Sequence, residues 1–464
     1  MRSDRFLYAA EALTGAPISW GSDVELLING DQIFPCYLRT IREAQRSVCL
    51  LTYVYWRGDI ANDVADALCE RARAGVECNV LIDAVGGMKL ERELIDKMEE
   101  AGVRVVRFRP VRAYALKRLG NRTHRKILVA DGQIGLTGGV GIAEEWTGDA
   151  QDPDHWRDTH VRVCGPVVRG LFGAFAENWL EATGEVLAGE AYLPDIEGRE
   201  DGGPMMVVRS SAGVGDSNVE AMYYLAIAAA RETLDLTAAY FVPRPAFTDA
   251  LVDCAERGVR TRVLVPGANI DKPAVWVAGR AAYDDLIAGG VEVHEYQPTM
   301  LHAKTLCIDG CWSAIGSANF DNRSFQLNDE ATLCVSSTEL ATKLTDQFER
   351  DLALSARIED GRWQDRGRAQ RAQEAALRVA RRERAVHRYR VSRCAAIMAR
   401  RRSQTPRESW ARPAWSRPRG SWARRGWSAR PASSVPRAWS ARREWSAASA
   451  SAAPRRSSAA RVSL

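Results

Sequence analysis

Short apolar runs rich in β-branched residues alternate with amphipathic helical stretches in the first part of the chain. The apolar runs cover residues 47–56, 75–83 and 101–108, and helical spacing of apolar residues fills the two gaps between them. This β-α-β-α-β order is typical of crossover connections, which place neighbouring strands in parallel with helices on the faces of the sheet. The pattern therefore predicts an α/β fold.

The same order returns later in the chain as an internal repeat. Apolar runs at residues 233–241, 258–266 and 289–296 are again separated by helical stretches. The matching landmarks are Gly75 with Gly258, Gly102 with Gly290 and His124 with His302, at separations of 183, 188 and 178 positions. Because these separations are nearly constant, we predict a duplication, with one α/β half at residues 1–190 and a second at residues 191–360.

The composition changes at three further places. Residues 185–203 are rich in Gly, Pro and acidic residues, which is typical of a connector between halves. Residues 361–402 predict a basic helical extension, whereas residues 403–464 are near-repeats of Ser, Ala, Arg, Pro and Trp that are not expected to fold by themselves. Two interpretations of this tail stay open. It is either a segment that binds a membrane surface or a polyanion, or an unselected extension.

Charge is divided unevenly between the body and the tail. Residues 361–464 contain 27 Arg, no Lys and five acidic residues, which is a net charge of +22. Because the whole chain carries only +5, residues 1–360 carry −17. An acidic body repels nucleic-acid phosphates beyond its immediate pocket, so the charge pattern disfavours nucleic acid as a partner.

The distribution of apolar residues and cysteines bears on the cellular location. No stretch of the sequence is long and apolar enough for a signal peptide or a membrane-spanning helix. Ten cysteines are scattered, most of them in apolar runs, without the spacing of metal ligands, and we interpret them as reduced core residues. We therefore expect a protein that stays in the cytoplasm.

Two polar cassettes carry the candidate chemistry. Each has the pattern His-x-Lys-x4-Asp, formed by His124, Lys126 and Asp131 in the first half and by His302, Lys304 and Asp309 in the second. His and Lys two positions apart on a strand-forming segment project from the same face and present a nucleophile and a cation to one point. Seven positions after each Asp begins a turn of small residues, which exposes backbone N–H groups to an anion. Two complete copies in a duplicated frame predict one phosphoryl-transfer site.

The chain resembles the phospholipase D superfamily and, within it, the bacterial cardiolipin synthases and related phosphatidyltransferases. The motifs that carry the likeness are NRTHRKILVADG, HWRDTHVRVCGPVV, AAYFVPRP and the run from HAKTLCIDG through GSANFDNRSFQLNDE. The resemblance implies two phospholipase D-like halves that form a pseudo-dimer within one chain, with the two cassettes facing each other. It also implies that no metal ion and no other cofactor is needed.

The resemblance further implies a covalent mechanism. One histidine attacks phosphorus, and the other protonates the leaving alcohol and later activates the acceptor. We assign His124 as the nucleophile and His302 as the general acid, although the sequence does not determine this order. The implied phosphate-binding residues are Lys126, Lys304, Asn319, Ser317 and Gly139.

Each histidine also needs a partner on its other ring nitrogen, which fixes its tautomer. The pairs implied by the resemblance are Asp158 with His124 and Glu330 with His302. Asp131 and Asp309 are then interpreted as structural residues that anchor the turn that follows them. Gly141 departs from the family pattern, which usually has Asn there, so we expect an asymmetric site with one amide donor fewer. Two arginines lie close to the cassettes in sequence, Arg125 inside the first and Arg323 after the second. We interpret both as solvated surface residues.

The leading functional hypothesis is metal-independent phosphatidyl transfer through a phosphohistidine intermediate, with cardiolipin made from phosphatidylglycerol. If water is the acceptor, the same machinery is a phospholipase D that produces phosphatidic acid. A superfamily endonuclease and a non-enzymatic adaptor with a degenerate site are further alternatives. The leading hypothesis predicts phospholipid substrates, a peripheral location at the cytoplasmic face of the cell membrane, and a monomer.

Overall fold

The fold was analysed in a computed structural model that describes residues 4–110, 120–212 and 217–359. The predicted helical extension at residues 361–402 and the tail at residues 403–464 lie outside this part of the chain. The helices are α1 (Asp4–Thr14), α2 (Asn29–Glu43), α3 (Asp59–Arg73), α4 (Arg92–Glu100), α5 (Val168–Thr183), α6 (Asn218–Ala229), α7 (Pro245–Glu256), α8 (Pro273–Arg280), α9 (Tyr283–Ala288), α10 (Asn322–Gln326) and α11 (Thr338–Ala353).

The strands are β1 (Asp23–Ile28), β2 (Ser47–Thr52), β3 (Glu77–Asp83), β4 (Arg104–Phe108), β5 (Arg122–Thr123), β6 (Ile127–Ala130), β7 (Ile134–Gly138), β8 (Thr159–Cys164), β9 (Met205–Ser210), β10 (Thr233–Ala238), β11 (Phe241–Val242), β12 (Arg260–Pro266), β13 (Glu292–Tyr296), β14 (Lys304–Ile308), β15 (Trp312–Gly316), β16 (Phe320–Asp321), β17 (Asn328–Val335) and β18 (Ser355–Arg357). All six apolar runs of the sequence therefore contain a strand.

The two large sheets repeat one strand order. The first sheet runs β1-β8-β7-β6-β2-β3-β4, and the second runs β9-β17-β15-β14-β10-β12-β13 before β18 extends its edge. Three neighbouring strands of each sheet run parallel to one another, namely β2-β3-β4 in the first sheet and β10-β12-β13 in the second. All other neighbouring strands in these two seven-strand orders are antiparallel. The matching orders confirm the predicted α/β fold with two similar halves.

Local sequence explains where the main elements begin and end. β2 is buried along its whole length, so its sequence is almost continuously apolar instead of alternating. β17 is also buried throughout, and its polar first residues, Asn328, Asp329 and Glu330, are buried with it. The helix α11 begins after Ser337, whose side chain accepts a hydrogen bond from the backbone N–H of Leu340. The helix α5 ends at Gly184, which adopts the left-handed conformation that favours glycine.

A shared core joins the two halves. Phe175 and Trp179 of α5 pack with strand residues of both sheets, and so do Leu340 and Leu344 of α11. The outer faces of the sheets form two separate cores, one with α2, α3 and α4 and the other with α6, α7 and α9. Because the shared core contains strands from both halves, the halves are not independent bodies.

The N-terminal helix α1 packs against the second half of the chain. Phe6 of α1 packs edge-on against Trp312 at 5.8 Å between ring centroids, and Ala10 belongs to the same core as β10 and β12. Helix α1 thus packs into the second half, although it lies in the segment assigned to the first. The apolar residues of α1 pack against α6 and cover one face of that helix.

Two short crossings between the halves position the cassettes. β5 pairs in parallel with β17, so that Thr123 lies opposite Asp329. An isolated parallel bridge joins Arg157 to Leu301 in the same way. The first crossing places the segment before His124 next to Glu330, and the second places the segment before His302 next to Asp158. In both cases the carboxylate belongs to the other half.

Arg125 lies at the first crossing and is fully buried, so the prediction that it is a solvated surface residue is wrong. Its guanidinium donates to the backbone carbonyl oxygens of Glu330, Ala174 and Ser210. These carbonyl groups belong to α5, β9 and β17, and Arg125 therefore joins three elements from both halves. Arg323, by contrast, is exposed as predicted.

Cysteines and membrane-spanning potential were also predicted from the sequence. The cysteines of the described residues are free thiols, and all of them except Cys164 are buried, which confirms their interpretation as core residues. Across residues 4–110, 120–212 and 217–359, no helix has the length and apolar character needed to span a bilayer.

Candidate active site

The two cassettes meet in one buried site. His124 follows β5 and His302 precedes β14, and both lie in short extended segments between strands. His124 is 8% exposed, His302 4%, Lys126 3% and Lys304 2%. The charges of each cassette shift the pKa values of groups in the other, which requires the two cassettes to lie close together.

His124 is held by acceptors from the second half. Its Nδ1 lies 3.2 Å from the carboxylate of Glu330 and 3.0 Å from the carbonyl oxygen of Ser317. Because both neighbours only accept hydrogen bonds there, Nδ1 carries the proton and Nε2 is left with its lone pair. The hydroxyl of Ser317 also donates to Glu330 at 2.5 Å, which fixes the carboxylate.

His302 is held by the first half. Its Nδ1 donates to Asp158 Oδ2 at 2.7 Å, and the indole N–H of Trp146 donates to the same oxygen at 2.9 Å. The backbone N–H of His302 donates to the carbonyl oxygen of Arg157 at 2.7 Å. With Nδ1 held by Asp158, Nε2 of His302 is the nitrogen left for proton transfer, and it lies 3.0 Å from Lys304 Nζ.

These contacts correct the predicted carboxylate pairs. The family resemblance implied Asp158 for His124 and Glu330 for His302, but the structure pairs Asp158 with His302 and Glu330 with His124. The reason is the strand crossing, because β5 lies beside β17 and Arg157 beside Leu301. Each carboxylate thus reaches across to the histidine of the other half.

The two lysines lie against their own histidines. Lys126 Nζ donates to the carbonyl oxygen of His124 at 2.8 Å. Lys304 Nζ lies 3.0 Å from the imidazole nitrogens of His302 and also donates to the carbonyl oxygen of that residue. The predicted convergence of a cation and a histidine in each cassette is therefore present.

Burial controls the charge of the site. It lowers the pKa of Lys126 to about 7 and that of Lys304 to about 8. Burial, together with the charge of Lys126, lowers the pKa of His124 to about 4 against the opposing effect of Glu330, so this imidazole is neutral near pH 7. A bound anion would stabilise the protonated lysines, and the site is therefore suited to a phosphate group.

The two supporting carboxylates differ in their electrostatics. Burial raises the pKa of Asp158, and the charge of Lys304 only partly opposes this. Burial also acts to raise the pKa of Glu330, but His124 and Lys126 outweigh it and the net direction is downward. Glu330 is thus the more firmly ionised of the two.

The predicted phosphate-binding turn residues have different roles in the structure. Asn319 is buried, and its amide oxygen has no hydrogen-bond partner in the described part of the chain, so this oxygen can accept from a ligand hydroxyl but cannot donate to phosphate. The backbone N–H of Gly139 donates to Thr159, and that of Ser317 donates to Ala331. These two donors are already used within the sheets, so the prediction of phosphate-binding amides at Gly139 and Ser317 is wrong.

Gly139 has a packing reason to be glycine. A Cβ atom at this position would lie 2.1 Å from Asp158 Oδ1, where no side chain fits. The equivalent position in the second half is Ser317, whose hydroxyl supports Glu330. The turn at Gly139 therefore makes room for the carboxylate that orients His302.

The aspartates of the cassettes lie away from the reacting groups. Asp131 accepts hydrogen bonds from the backbone N–H groups of Gln45, Arg46 and Ser47, just before β2. Asp309 accepts from the backbone N–H groups of Arg231, Glu232 and Thr233, just before β10. Both are structural as interpreted, but they anchor the loop that enters the central strand and not the turn that follows.

Trp146 is a site residue that the sequence analysis missed. It lies in a 3-10 turn at Glu144–Trp146, and its ring is 5.1 Å from the ring of His302. A Cβ atom at Gly141 would lie 2.7 Å from Val54 and 3.3 Å from the Trp146 ring, so the missing Asn has no space here. The indole N–H of Trp146 donates a hydrogen bond to Asp158. In the sequence, the only sign of this role is an aromatic residue five positions after Gly141, the last residue of the small-residue turn.

Comparisons with known proteins agree with this geometry. The family model described as cardiolipin synthase, phospholipase D-like domain, matches residues 37–149 and 223–352. The probable cardiolipin synthase YwiE of Bacillus subtilis (strain 168) is 33% identical over 365 residues, which is 78% of this chain and 72% of the relative. Cardiolipin synthase 2 of Bacillus anthracis is 32% identical over 376 residues, 80% of this chain and 72% of the relative.

A solved structure shares the fold. The phosphatidylserine synthase of Haemophilus influenzae Rd KW20 superposes with a TM-score of 0.62 over 82% of this chain and 98% of that protein, at 12% sequence identity. At that identity the likeness shows the fold alone. The family match and the curated relatives go further, and they confirm the predicted membership. The chain belongs to the phospholipase D superfamily, in the cardiolipin synthase-like group, and is a phospholipase D-type phosphatidyltransferase.

Proposed function

We propose that the protein transfers a phosphatidyl group from phosphatidylglycerol to the hydroxyl of a second phosphatidylglycerol, which produces cardiolipin and glycerol. One observation carries this proposal. Two histidines, each oriented by a carboxylate of the opposite half and each beside a buried lysine, converge on one site. Relatives over most of the chain are named cardiolipin synthases, which supports this choice of substrate and product.

In the first step His124 is the nucleophile, because its lowered pKa keeps it neutral and Glu330 holds the proton on Nδ1. A bond forms between Nε2 and phosphorus while the phosphorus–oxygen bond to the leaving glycerol breaks. His302 gives its Nε2 proton to that oxygen. The product is a phosphatidyl-histidine intermediate and free glycerol.

In the second step the acceptor hydroxyl gives its proton to Nε2 of His302. Its oxygen bonds to phosphorus, and the bond to His124 breaks. Burial and the charge of Lys304 lower the pKa of His302 in the free protein, but a bound phosphodiester offsets the repulsion from the lysines. Substrate binding therefore prepares His302 to carry a proton.

The proposal places the protein at a membrane, because both substrates are phospholipids. Relatives of cardiolipin synthase type support this membrane association. We further propose that the contact is peripheral, at the cytoplasmic face, and that a single chain supplies the complete site because both cassettes lie in it.

The test is product analysis with phosphatidylglycerol vesicles in excess chelator. Wild type should release glycerol and form cardiolipin, whereas His124→Ala and His302→Ala should lose roughly 10³-fold or more of the rate, since each removes an essential step. His155→Ala is the matched control, because His155 is a half-buried histidine that pairs with Asp152 at 2.7 Å. Phosphatidic acid as the sole product, or full activity in the two cassette variants, would contradict the proposal.

A further inference from the structure

We propose that the loop at residues 267–272 and helix α8 form a binding site for the acceptor phospholipid, with Lys272 contacting its anionic phosphodiester. This site lies next to His302 and rests on the proposed function. It would explain how the second step selects a lipid hydroxyl over water.

Lys272 is an exposed residue that lies against Tyr240, and Tyr240 lies against His302. Its Nζ lies 3.1 Å from the hydroxyl of Tyr240 and 4.6 Å from the centroid of that ring. The Tyr240 ring in turn lies edge-on to His302, at 6.2 Å between centroids. One tyrosine side chain thus separates an exposed ammonium group from the histidine that must receive the acceptor proton.

The charge of Lys272 reaches the catalytic groups. Burial is the main cause of the lowered pKa values of His302, Lys304 and Lys126, and Lys272 is among the charges that add to it. An anion bound at Lys272 would relieve part of that repulsion. Binding there is therefore coupled electrostatically to the protonation of His302.

The contact between Lys272 and Asp271 leaves the ammonium group available. Their nearest charged atoms are 3.6 Å apart, and the lysine side chain is more than half exposed. Exposed pairs of this kind are weak and compete poorly with a phosphate group. Asp271 instead accepts the Tyr240 hydroxyl at 2.7 Å, which keeps the tyrosine in place between Lys272 and His302.

Helix α8 breaks the duplication at this point. One helix, α4, connects β3 to β4, whereas two helices, α8 and α9, connect β12 to β13. The added helix carries half-buried Val275, Trp276 and Val277 directly after Lys272. Because the seven-strand order of the two halves is the same, this added helix points to a task that the first half does not share.

The apolar residues of α8 pack around the same tyrosine. Val275 and Trp276 pack with Trp156 against Tyr240 and Met300, and all three packing residues remain partly exposed. A cation followed by an apolar helix matches a molecule with an anionic headgroup and hydrocarbon chains. The acceptor phospholipid fits this description and must reach His302, whereas water needs neither feature.

The test compares anionic and uncharged acceptors in the full-length protein. Phosphatidylglycerol vesicles are supplied with and without ethanol, and cardiolipin, phosphatidic acid and phosphatidylethanol are measured. Lys272→Gln should lower the ratio of cardiolipin to phosphatidic acid about tenfold and lower phosphatidylethanol far less, because ethanol carries no phosphate for Lys272 to contact. Lys272→Arg should retain the wild-type ratio.

The matched control is Lys89→Gln. Lys89 is an exposed lysine in the loop after β3, 3.5 Å over the ring of Trp56, and its variant should keep the wild-type ratio. The inference is overturned if Lys272→Gln leaves the ratio unchanged or lowers phosphatidylethanol as strongly as cardiolipin. If wild type forms phosphatidylethanol but no cardiolipin, the proposed function fails instead.

Discussion

At the scale of single residues, the two histidines differ in how their carboxylates are supported. Glu330 accepts from the hydroxyl of Ser317, whereas Asp158 accepts from the indole of Trp146. Burial raises the pKa of Asp158, and the Trp146 hydrogen bond is one of the interactions that keep it ionised. The donor at Trp146 should therefore matter for the step in which His302 carries a proton.

Trp146→Phe tests this positioning role, because it keeps an aromatic ring at the site and removes the N–H donor together with part of the indole. We expect kcat to fall about tenfold with little change in KM, and the acid limb of the pH–rate profile to move to higher pH as the pKa of Asp158 rises further. Trp56→Phe is the control, since the Trp56 indole donates to the backbone of Gly86. An unchanged acid limb in Trp146→Phe would show that the indole only fills space.

The buried lysines predict that anion binding depends on pH. A phosphodiester favours the protonated amines, and Lys304, whose pKa is about 8, passes from mostly neutral at pH 9 to mostly charged at pH 7. Affinity for dimethyl phosphate, which does not titrate in this range, should therefore increase roughly tenfold as the pH falls from 9 to 7. The competitive inhibition constant of dimethyl phosphate, measured at several pH values from 7 to 9, gives the change of affinity with pH.

The control for this slope is Lys304→Arg, because a guanidinium stays charged throughout. The variant should bind dimethyl phosphate with a flatter pH dependence, which then reports only Lys126. A wild-type affinity that does not change between pH 7 and pH 9 would mean that the lysines are already fully charged in the free protein.

At the scale of elements, the crossing of β5 and β17 determines which groups meet. The segment before each cassette histidine lies beside the other half, and Arg125 ties β17 to α5 and β9. The sequence predicted six strands because each lies in an apolar run of several residues. It did not predict β5, which has only two residues and neither of them apolar. The carboxylate pairs were wrong for this reason, since His124 and Glu330 are 206 positions apart and meet through that short strand.

Arg125→Met tests the contribution of the crossing to stability. The variant leaves three buried carbonyl groups without their donor, so the free energy of unfolding should fall by about 3 to 5 kcal/mol. Thermal or denaturant unfolding measures this change. Arg323→Met, at an exposed arginine, should change it by less than about 0.5 kcal/mol, and equal effects of the two variants would argue against the crossing as a stabilising element.

At the scale of the whole molecule, an acidic body surrounds a site that is built for an anion, and a basic tail follows it. Duplication, fold class and the convergence of the cassettes could be predicted from the sequence because they repeat in periodic, widely spaced motifs. The placement of α1 and the role of Trp146 could not, because both depend on which surfaces pack together. Because the body carries a net negative charge, attraction to anionic lipids must come from local cations and from the basic residues 361–464.

Removal of residues 361–464, which are the basic extension and the tail together, tests their electrostatic role. A chain that ends at Asp360 loses a net charge of +22, so its binding to anionic phosphatidylglycerol vesicles should weaken at least about tenfold at low salt. The difference should shrink as salt is added, because salt screens exposed charges. Vesicle sedimentation measures both effects. Equal binding of the two chains would support the interpretation of the tail as an unselected extension.

The most direct test of the central claim is to identify the covalent intermediate. The protein is mixed with phosphatidylglycerol, quenched in cold, mildly alkaline buffer, where the phosphorus–nitrogen bond and the acyl esters both persist, and digested for mass spectrometry. We predict a phosphatidyl adduct on the peptide that contains His124 and none on the peptide that contains His302. An adduct on His302 would reverse the assigned roles, and the absence of any adduct during turnover would contradict the covalent mechanism.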